Sequence, residues 1–211
     1  MEYDVVVVGG GPSGLATAIK FAQLNNENGT NYSICLLEKG SEIGAHILSG
    51  NVFQPNALDE LLPNWKELGA PLNTPVKKDK LLFLLEKIGI PVPSFLMPPM
   101  NNHGNYVISL GNLCRWLGEQ AESLGVEVFP GFPASQLIIE NDKVVGVQTG
   151  DMGISESGEL KPGHEPGINI RAKYTILGEG CRGHLGKQVI HKFNLNENKD
   201  PQHYGIGFKE V

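Results

Sequence analysis

Apolar positions along this chain fall in short blocks whose period changes. Val5 to Val8 is an unbroken apolar run of strand length, which predicts a strand buried on both faces. A helix-like stretch follows from Leu15 to Leu24. Asn25 to Asn31 is a polar loop that leads to a second apolar strand, Ile34-Cys35-Leu36-Leu37. Asn56 to Gly69 reads as helical, with Ala57, Leu58, Leu61 and Leu62 on one side and Pro63 breaking it in two. Leu81 to Leu85 is either a buried strand or a short helix. Residues 88–100 are apolar and uncharged, yet Pro91, Pro93, Pro98 and Pro99 forbid a regular helix or a central strand. Tyr106 to Ser109 predicts a strand. Gly111 to Leu124 predicts an amphipathic helix through Leu113, Trp116, Leu117, Ala121 and Leu124, closed by Gly125. Val126 to Phe129 returns as a strand. Residues 136–141 and 143–149 form a hairpin turning at Asn141-Asp142. Residues 150–167 read as a long polar loop. Ile168 to Ala172 and Tyr174 to Leu177 resume the strands, and His184 to Phe193 reads as a helix.

The first forty residues carry the sharpest pattern. The Val5–Val8 strand runs into Gly9-Gly10-Gly11-Pro12-Ser13-Gly14, then a helix, then a strand that ends at Glu38. Strand, Gly-x-Gly-x-x-Gly, helix, strand and acid form the dinucleotide-binding βαβ fingerprint. Gly9 allows the turn out of the strand, Gly11 leaves room for a pyrophosphate, and Gly14 lets helix and sheet pack closely. The free amides and dipole of the helix N-terminus favour phosphate. Glu38 is placed to accept hydrogen bonds from ribose hydroxyls and would repel a 2′-phosphate. The loop after it, Lys39 to Gly50, holds Gly44, Ala45, His46 and Ser49. Its small residues suit a backbone lying against a ligand or an ordinary loop equally.

A second glycine-rich element ends the strand at 174–177: Gly178-Glu179-Gly180. It puts a carboxylate at the carboxyl edge of the sheet, where doubly wound sheets bind ligands, and the next helix N-terminus points at the same crevice.

Composition narrows the function classes. The 211 residues carry a net charge of −6 and no basic run, which argues against nucleic acid as a partner. Cys35, Cys114 and Cys181 are far apart, which gives no metal-ligand spacing and suits a reducing compartment. No histidine stands at metal-ligand or triad spacing, and no Gly-x-Ser-x-Gly is present, so hydrolase chemistry has no support. No apolar run approaches the roughly 20 residues of a membrane-spanning helix. The fingerprint begins almost at Met1, which leaves no room for a signal or transit peptide.

One N-terminal Rossmann unit, completed late by strand-Gly-Glu-Gly, resembles the FAD domain of the glutathione-reductase and hydroxylase superfamily. Longer stretches are similar to the electron-transfer flavoprotein–ubiquinone oxidoreductase family. They are 38–40 with 43–50, 68–75, 99–106 (Pro-Met-Asn-Asn-His-Gly-Asn-Tyr), 118–121 with 124–128, 179–185 (Glu-Gly-Cys-Arg-Gly-His-Leu) and 204–207. The resemblance runs from Val5 to Val211.

That resemblance implies an α/β, Rossmann-like FAD-binding domain of the glutathione-reductase/hydroxylase type with an inserted quinone/membrane segment. Residues 1–75 would form the first part of the FAD domain and 76–110 the apolar insert. Residues 111–192 would complete the FAD domain, and 193–211 would start a further quinone-binding region. Gly9, Gly11, Pro12, Ser13, Gly14, Glu38, Lys39, Gly44, Ala45, His46, Ser49, Gly50, Glu179 and Gly180 are the implied cofactor-binding residues. Phe83, Ile90, Val92, Phe95, Leu96 and Met97 are the implied membrane or quinone contacts. Sequence alone favours internal packing for this apolar segment; the resemblance reverses that preference. The implied function is FAD-dependent electron transfer from reduced electron-transfer flavoprotein to ubiquinone at a membrane surface, with no residue acting as acid or base. A 4Fe–4S cluster belongs to the family, but its cysteines lie in a region these 211 residues lack, so the chain alone is expected to be inactive. The alternatives are a related FAD-dependent prenyl-lipid reductase and a non-catalytic FAD-binding fragment. The implied location is peripheral, on the cytoplasmic face of a bacterial inner membrane. A mitochondrial inner-membrane origin stays open if the N-terminus is processed.

Overall fold

Strand β1 (Glu2–Val8) is the axis of the fold. It pairs in parallel with β2 (Ile34–Glu38) on one side and with β12 (Asn169–Leu177) on the other. The computed structural model describes residues 1–48, 50–93, 100–155, 157 and 159–207. Between β1 and β12 the chain forms α1 (Pro12–Asn28), β3 (Asn51–Phe53), α2 (Asn56–Leu61), β4 (Leu81–Leu84) and β5 (Gly89–Val92). β6 (Tyr106–Ile108), α3 (Leu110–Ser123), β7 (Glu127–Pro130), β8 (Ala134–Glu140), β9 (Lys143–Thr149), β10 (Met152–Ile154) and β11 (Leu160–Glu165) follow. Helix α4 (His184–Lys192) comes after β12.

The main sheet has the order β7-β2-β1-β12-β9-β8. The first four strands are parallel; β9 and β8 continue it antiparallel. Both faces are covered, which explains why β1 is apolar at successive positions. Val5 and Val7 join Leu15, Ile19, Leu113 and Trp116 in the core under α1 and α3. Val6 and Val8 join Cys35, Leu37, Val147, Ile170 and Leu185 on the other face, where α4 contributes.

Several sequence expectations shift. Helix α1 runs past Leu24 to Asn28 and is closed by Gly29 in the left-handed region, φ 63°. Helix α2 ends at Leu61, two residues before Pro63, and residues beyond it form turns rather than a second helix. The segment around Leu82 is a strand, but an exposed one: β4 and β5 make an isolated two-stranded ribbon. Pro91 sits within β5, opposite Leu82, because a two-stranded ribbon leaves every strand an open edge. The polar stretch 150–167 holds a further ribbon, β10–β11. A third ribbon joins β3 to β6. The 140s hairpin turns where expected, with Asn141 at φ 49° and Asp142 at φ 56°, as a type I′ turn requires. Ser49, Phe95, Leu96 and Met97 lie outside the described residues.

Candidate functional site: a dinucleotide cradle at the α1 N-terminus

The carboxyl ends of β1, β2 and β12 meet at a cavity of about 490 Å³, within the range of small-molecule sites. The fingerprint lines it through Gly9, Gly11, Pro12 and Ser13. Glu38, Lys39, Gly44 and His46 line it from the β2 side. Glu179 and Gly180 line it from the end of β12. Ten of the predicted cofactor residues thus converge on one space.

The others do not line it. Gly14 is buried behind the loop, where a Cβ would collide with the Gly9 carbonyl oxygen. Ala45 is exposed in a turn, and Gly50 is exposed as well. Ser49 is not described. Gly44 touches the cavity, but its missing side chain serves the fold: a Cβ there would lie 2.5 Å from the Gly111 carbonyl oxygen at the start of α3.

The cradle fits the diphosphate of a dinucleotide. Helix α1 begins at Gly11 with no side-chain cap and no acid in its first turn, so its first amides are unspent. No heavy atom lies within 4 Å of where a Gly11 Cβ would stand, so the approach to the backbone is open. Phosphate there meets N–H donors and the positive end of the helix dipole.

Glu38 does a second task that sequence did not reveal. Its Oε2 accepts from the Gly10 amide at 2.8 Å and its Oε1 from the Gly40 amide at 2.7 Å. The carboxylate ties the phosphate loop to the loop after β2. Each oxygen keeps further acceptor capacity, so ribose hydroxyls can still be received at this partly buried group. His46 Nδ1 lies 3.9 Å from Oε1, with its side chain largely exposed.

Glu179 corrects the expectation more sharply. Its Oε1 accepts from the Leu185 amide at 3.1 Å and its Oε2 from the Gly186 amide at 2.9 Å. The carboxylate caps α4, so that helix N-terminus is already spent on a fixed charge and is not free for phosphate. Gly183 makes the fold-back possible, because a Cβ there would lie 2.6 Å from Glu179 Oε2. Glu179 still lines the cavity while its carboxylate is held by these amides.

Gly10, Gly178, Arg182, Gly183, His184, Ile47, Pro133 and Ala134 were not among the predicted residues. All except Gly10 line the cavity. Gly178 had a signal in the glycine run after β12. A Cβ on Gly9 would lie 2.5 Å from its carbonyl oxygen, so the two glycine-rich loops touch.

The cysteines do not fit an iron–sulfur cluster, which needs four thiolates. Cys35 and Cys114 are buried, and Cys181 is exposed. Burial, with Glu127 adding to it, pushes the Cys35 thiol up to about 12. Burial, with Glu38 adding, does the same for Cys114. Among the described residues, no group of three or more His, Cys, Asp or Glu could hold a metal.

Phe83, Ile90 and Val92 lie on the β4–β5 ribbon, apart from this cavity. Phe83 and Ile90 are directly opposed across the ribbon and exposed by 62% and 46%. Val92 lines a second cavity of about 400 Å³ with Leu81, Leu82, Pro91 and Met100, edged by Asp79, Lys80 and Asn102. No helix among the described residues is long and apolar enough to cross a membrane.

Fold and cradle define a Rossmann-like dinucleotide-binding domain. Residues 7–71 match the NAD(P)-binding Rossmann-like domain family. A geranylgeranyl bacteriochlorophyll reductase-like protein from Thermoplasma acidophilum has a similar structure, with a TM-score of 0.64 and 26% identity over 88% of this chain and 41% of its own. Over its whole length the chain is homologous to the electron transfer flavoprotein-ubiquinone oxidoreductase family. It is 56% identical over 215 residues to the member from Pseudomonas aeruginosa and 51% identical over 211 residues to the mitochondrial member from Homo sapiens. It spans 39% and 34% of those two proteins.

Proposed function

We propose that this chain forms the FAD-binding part of a flavoprotein that passes electrons from reduced electron-transfer flavoprotein to ubiquinone. The cradle carries the reading: both glycine-rich motifs meet at one open helix N-terminus, in a chain 51–56% identical to relatives of that name. In this reading residues 1–75 and 111–192 build the FAD domain around the 76–110 insert.

The α1 amides and the open backbone at Gly11 hold the diphosphate. Glu38 orients the adenosine ribose. Lys39, Gly44, His46 and Gly180 lie along the rest of the cofactor. When bound, FAD supplies the electron-carrying ring system. The chain supplies position, electrostatics and exclusion of water, and no residue is assigned as acid or base. A 4Fe–4S cluster is proposed for the whole protein only, on ligands outside these residues. The 211-residue chain alone is expected not to turn over quinone.

The β4–β5 ribbon supports contact with a membrane surface. It presents Phe83, Leu84, Ile88 and Ile90 to solvent beside Lys77, Lys78, Lys80 and Lys87, a pairing of apolar tip and basic flank that suits an anionic bilayer. Phe95, Leu96 and Met97, outside the described residues, are assigned to the same contact from sequence alone. The location is then peripheral: the cytoplasmic face of a bacterial inner membrane, or an inner mitochondrial membrane.

The Thermoplasma structure favours one second reading, an FAD-dependent prenyl-lipid reductase, though at half the identity. FAD titrated into the 211-residue chain is expected to bind one to one with quenched flavin fluorescence. The whole protein containing this chain is expected to reduce a ubiquinone analogue with reduced electron-transfer flavoprotein and to leave geranylgeranyl lipids unreduced. The opposite preference selects the second reading. No flavin binding overturns both.

A further inference from the structure

We propose that Arg182 is the cation that holds the diphosphate of the bound dinucleotide. The proposal deepens the FAD reading above and rests on it.

The argument starts from charge. The cavity is lined by two carboxylates, Glu38 and Glu179, and a diphosphate brings two further negative charges into the same space. Both carboxylates are already satisfied by backbone amides: Gly10 and Gly40 for Glu38, Leu185 and Gly186 for Glu179. Those amides steady the acids but add no whole positive charge. The N-terminus of α1 contributes the equivalent of only about half a charge. Glu179 has taken the N-terminus of α4. Cations must supply the balance.

Among the described residues, Lys39 and Arg182 are the lysine and arginine that line the cavity, beside His46 and His184. Lys39 follows Glu38 directly and so belongs to the ribose end. Arg182 enters from the connection between β12 and α4, beside Gly178, which touches both Gly9 and Gly14 of the phosphate loop. Arg182 therefore lines the same cavity as the open α1 N-terminus, on the segment that follows Gly178.

Arg182 is also the arginine whose charge is unspent. The chain has three arginines. Arg115 pairs with Glu42 at 2.9 Å, and Arg171 makes a two-pronged pair with Glu140 at 2.9 and 2.7 Å. Among the described residues Arg182 forms no ion pair. Its guanidinium lies over the Tyr204 ring, 5.4 Å from the centroid. That contact restrains the side chain through one face and leaves its five N–H donors in the ring plane for other acceptors. A planar fork of donors matches the paired oxygens of a phosphate.

The test is binding of FAD and of ADP to the full chain and to Arg182→Gln and Arg182→Lys. FAD is followed by fluorescence quenching and ADP by calorimetry. ADP keeps the adenosine and the diphosphate and lacks the flavin. Arg182→Gln is expected to weaken both ligands by the same factor, roughly ten- to a hundredfold, as for a lost charge-assisted hydrogen bond. Arg182→Lys is expected to lie between. Raising the salt concentration is expected to weaken the parent more than Arg182→Gln. Unfolding temperature should stay unchanged, because the side chain is exposed. Equal affinities in parent and Arg182→Gln overturn the proposal. Loss confined to FAD also overturns it, because the arginine then acts on the flavin half. A parent chain that binds ADP but not FAD removes the flavin reading, while the ADP comparison still decides the role of Arg182.

Discussion

The carbonyl oxygen of Gly9 occupies the space a Cβ on Gly14 would need. This contact sets the distance between the end of β1 and the first turn of α1, and Gly178 closes over it from β12. The third glycine of the fingerprint is therefore a packing device, whereas the second one, Gly11, has open space where a side chain would stand.

The two glycines should respond differently to one methyl group. Gly14→Ala must push α1 off the sheet and is expected to cost about 1–3 kcal/mol of stability, as overpacked sites do. Gly11→Ala meets open space at φ −80°, a conformation any residue adopts, so folding stability should change by less than about 0.5 kcal/mol. Denaturant unfolding with parallel FAD titration checks the pair. Gly11→Ala should lose FAD affinity at unchanged stability, whereas Gly14→Ala should lose both.

Glu179 should behave as a helix cap. Glu179→Ala removes the acceptor for the Leu185 and Gly186 amides, and the expected cost is about 0.5–2 kcal/mol. Glu179→Gln keeps an acceptor oxygen and should lose less. Hydrogen exchange resolves the effect, because protection should fall in α4 while β1 stays protected. Equal exchange in parent and Glu179→Ala would show that the cap contributes nothing.

The parts legible in sequence were those that local chemistry dictates. The fingerprint, Glu38 and the Asn141-Asp142 turn each announce themselves within a few residues. The parts that were not legible depend on partners far along the chain. β3 is three residues long and exists because β6, some fifty residues on, pairs with it. Residues 150–167 looked like a loop because glycines and charges hide the β10–β11 pairing. Glu179 read as a ligand-facing acid, since nothing near it tells whether its carboxylate turns to the crevice or back to α4. Arg182 stands within the Glu179–Leu185 stretch, yet only the closed sheet brings it to the cavity that the phosphate loop also lines.

Acid should loosen the start of β1. The Asp4 carboxyl is held down at about 2 by the Lys173 ammonium and by hydrogen bonds from Ser33. Its folded value lies below its ordinary value of 3.8, so its contribution is present above pH 4 and is lost as pH falls from about 4 to 2. Its partner Lys173 is exposed, so the effect is small. Thermal unfolding of the parent should decline across that window, and Asp4→Asn should decline less steeply while starting from a lower plateau. Parallel curves would remove Asp4 from the acid response.

The β4–β5 ribbon gives the membrane proposal its clearest handle. Phe83 and Ile90 face each other across the ribbon, and both are open to solvent. A two-stranded ribbon that leaves its apolar side chains uncovered gains little from them in water, and such a pair suits a surface that would cover it. Placing each side chain in a bilayer interface would recover part of the roughly 1.5–3 kcal/mol that full burial of such a side chain provides. Lys77, Lys78, Lys80 and Lys87 would add attraction to anionic lipid that salt screens. The double variant Phe83→Asp, Ile90→Asp removes the apolar pair and cancels the local positive charge, while leaving the FAD cradle untouched. It is expected to lower sedimentation with phosphatidylglycerol-containing liposomes at least tenfold, with FAD binding unchanged. The parent should lose part of its liposome binding at high salt and keep the apolar remainder. Liposome binding that survives the double substitution would assign these side chains to contact with another part of the protein.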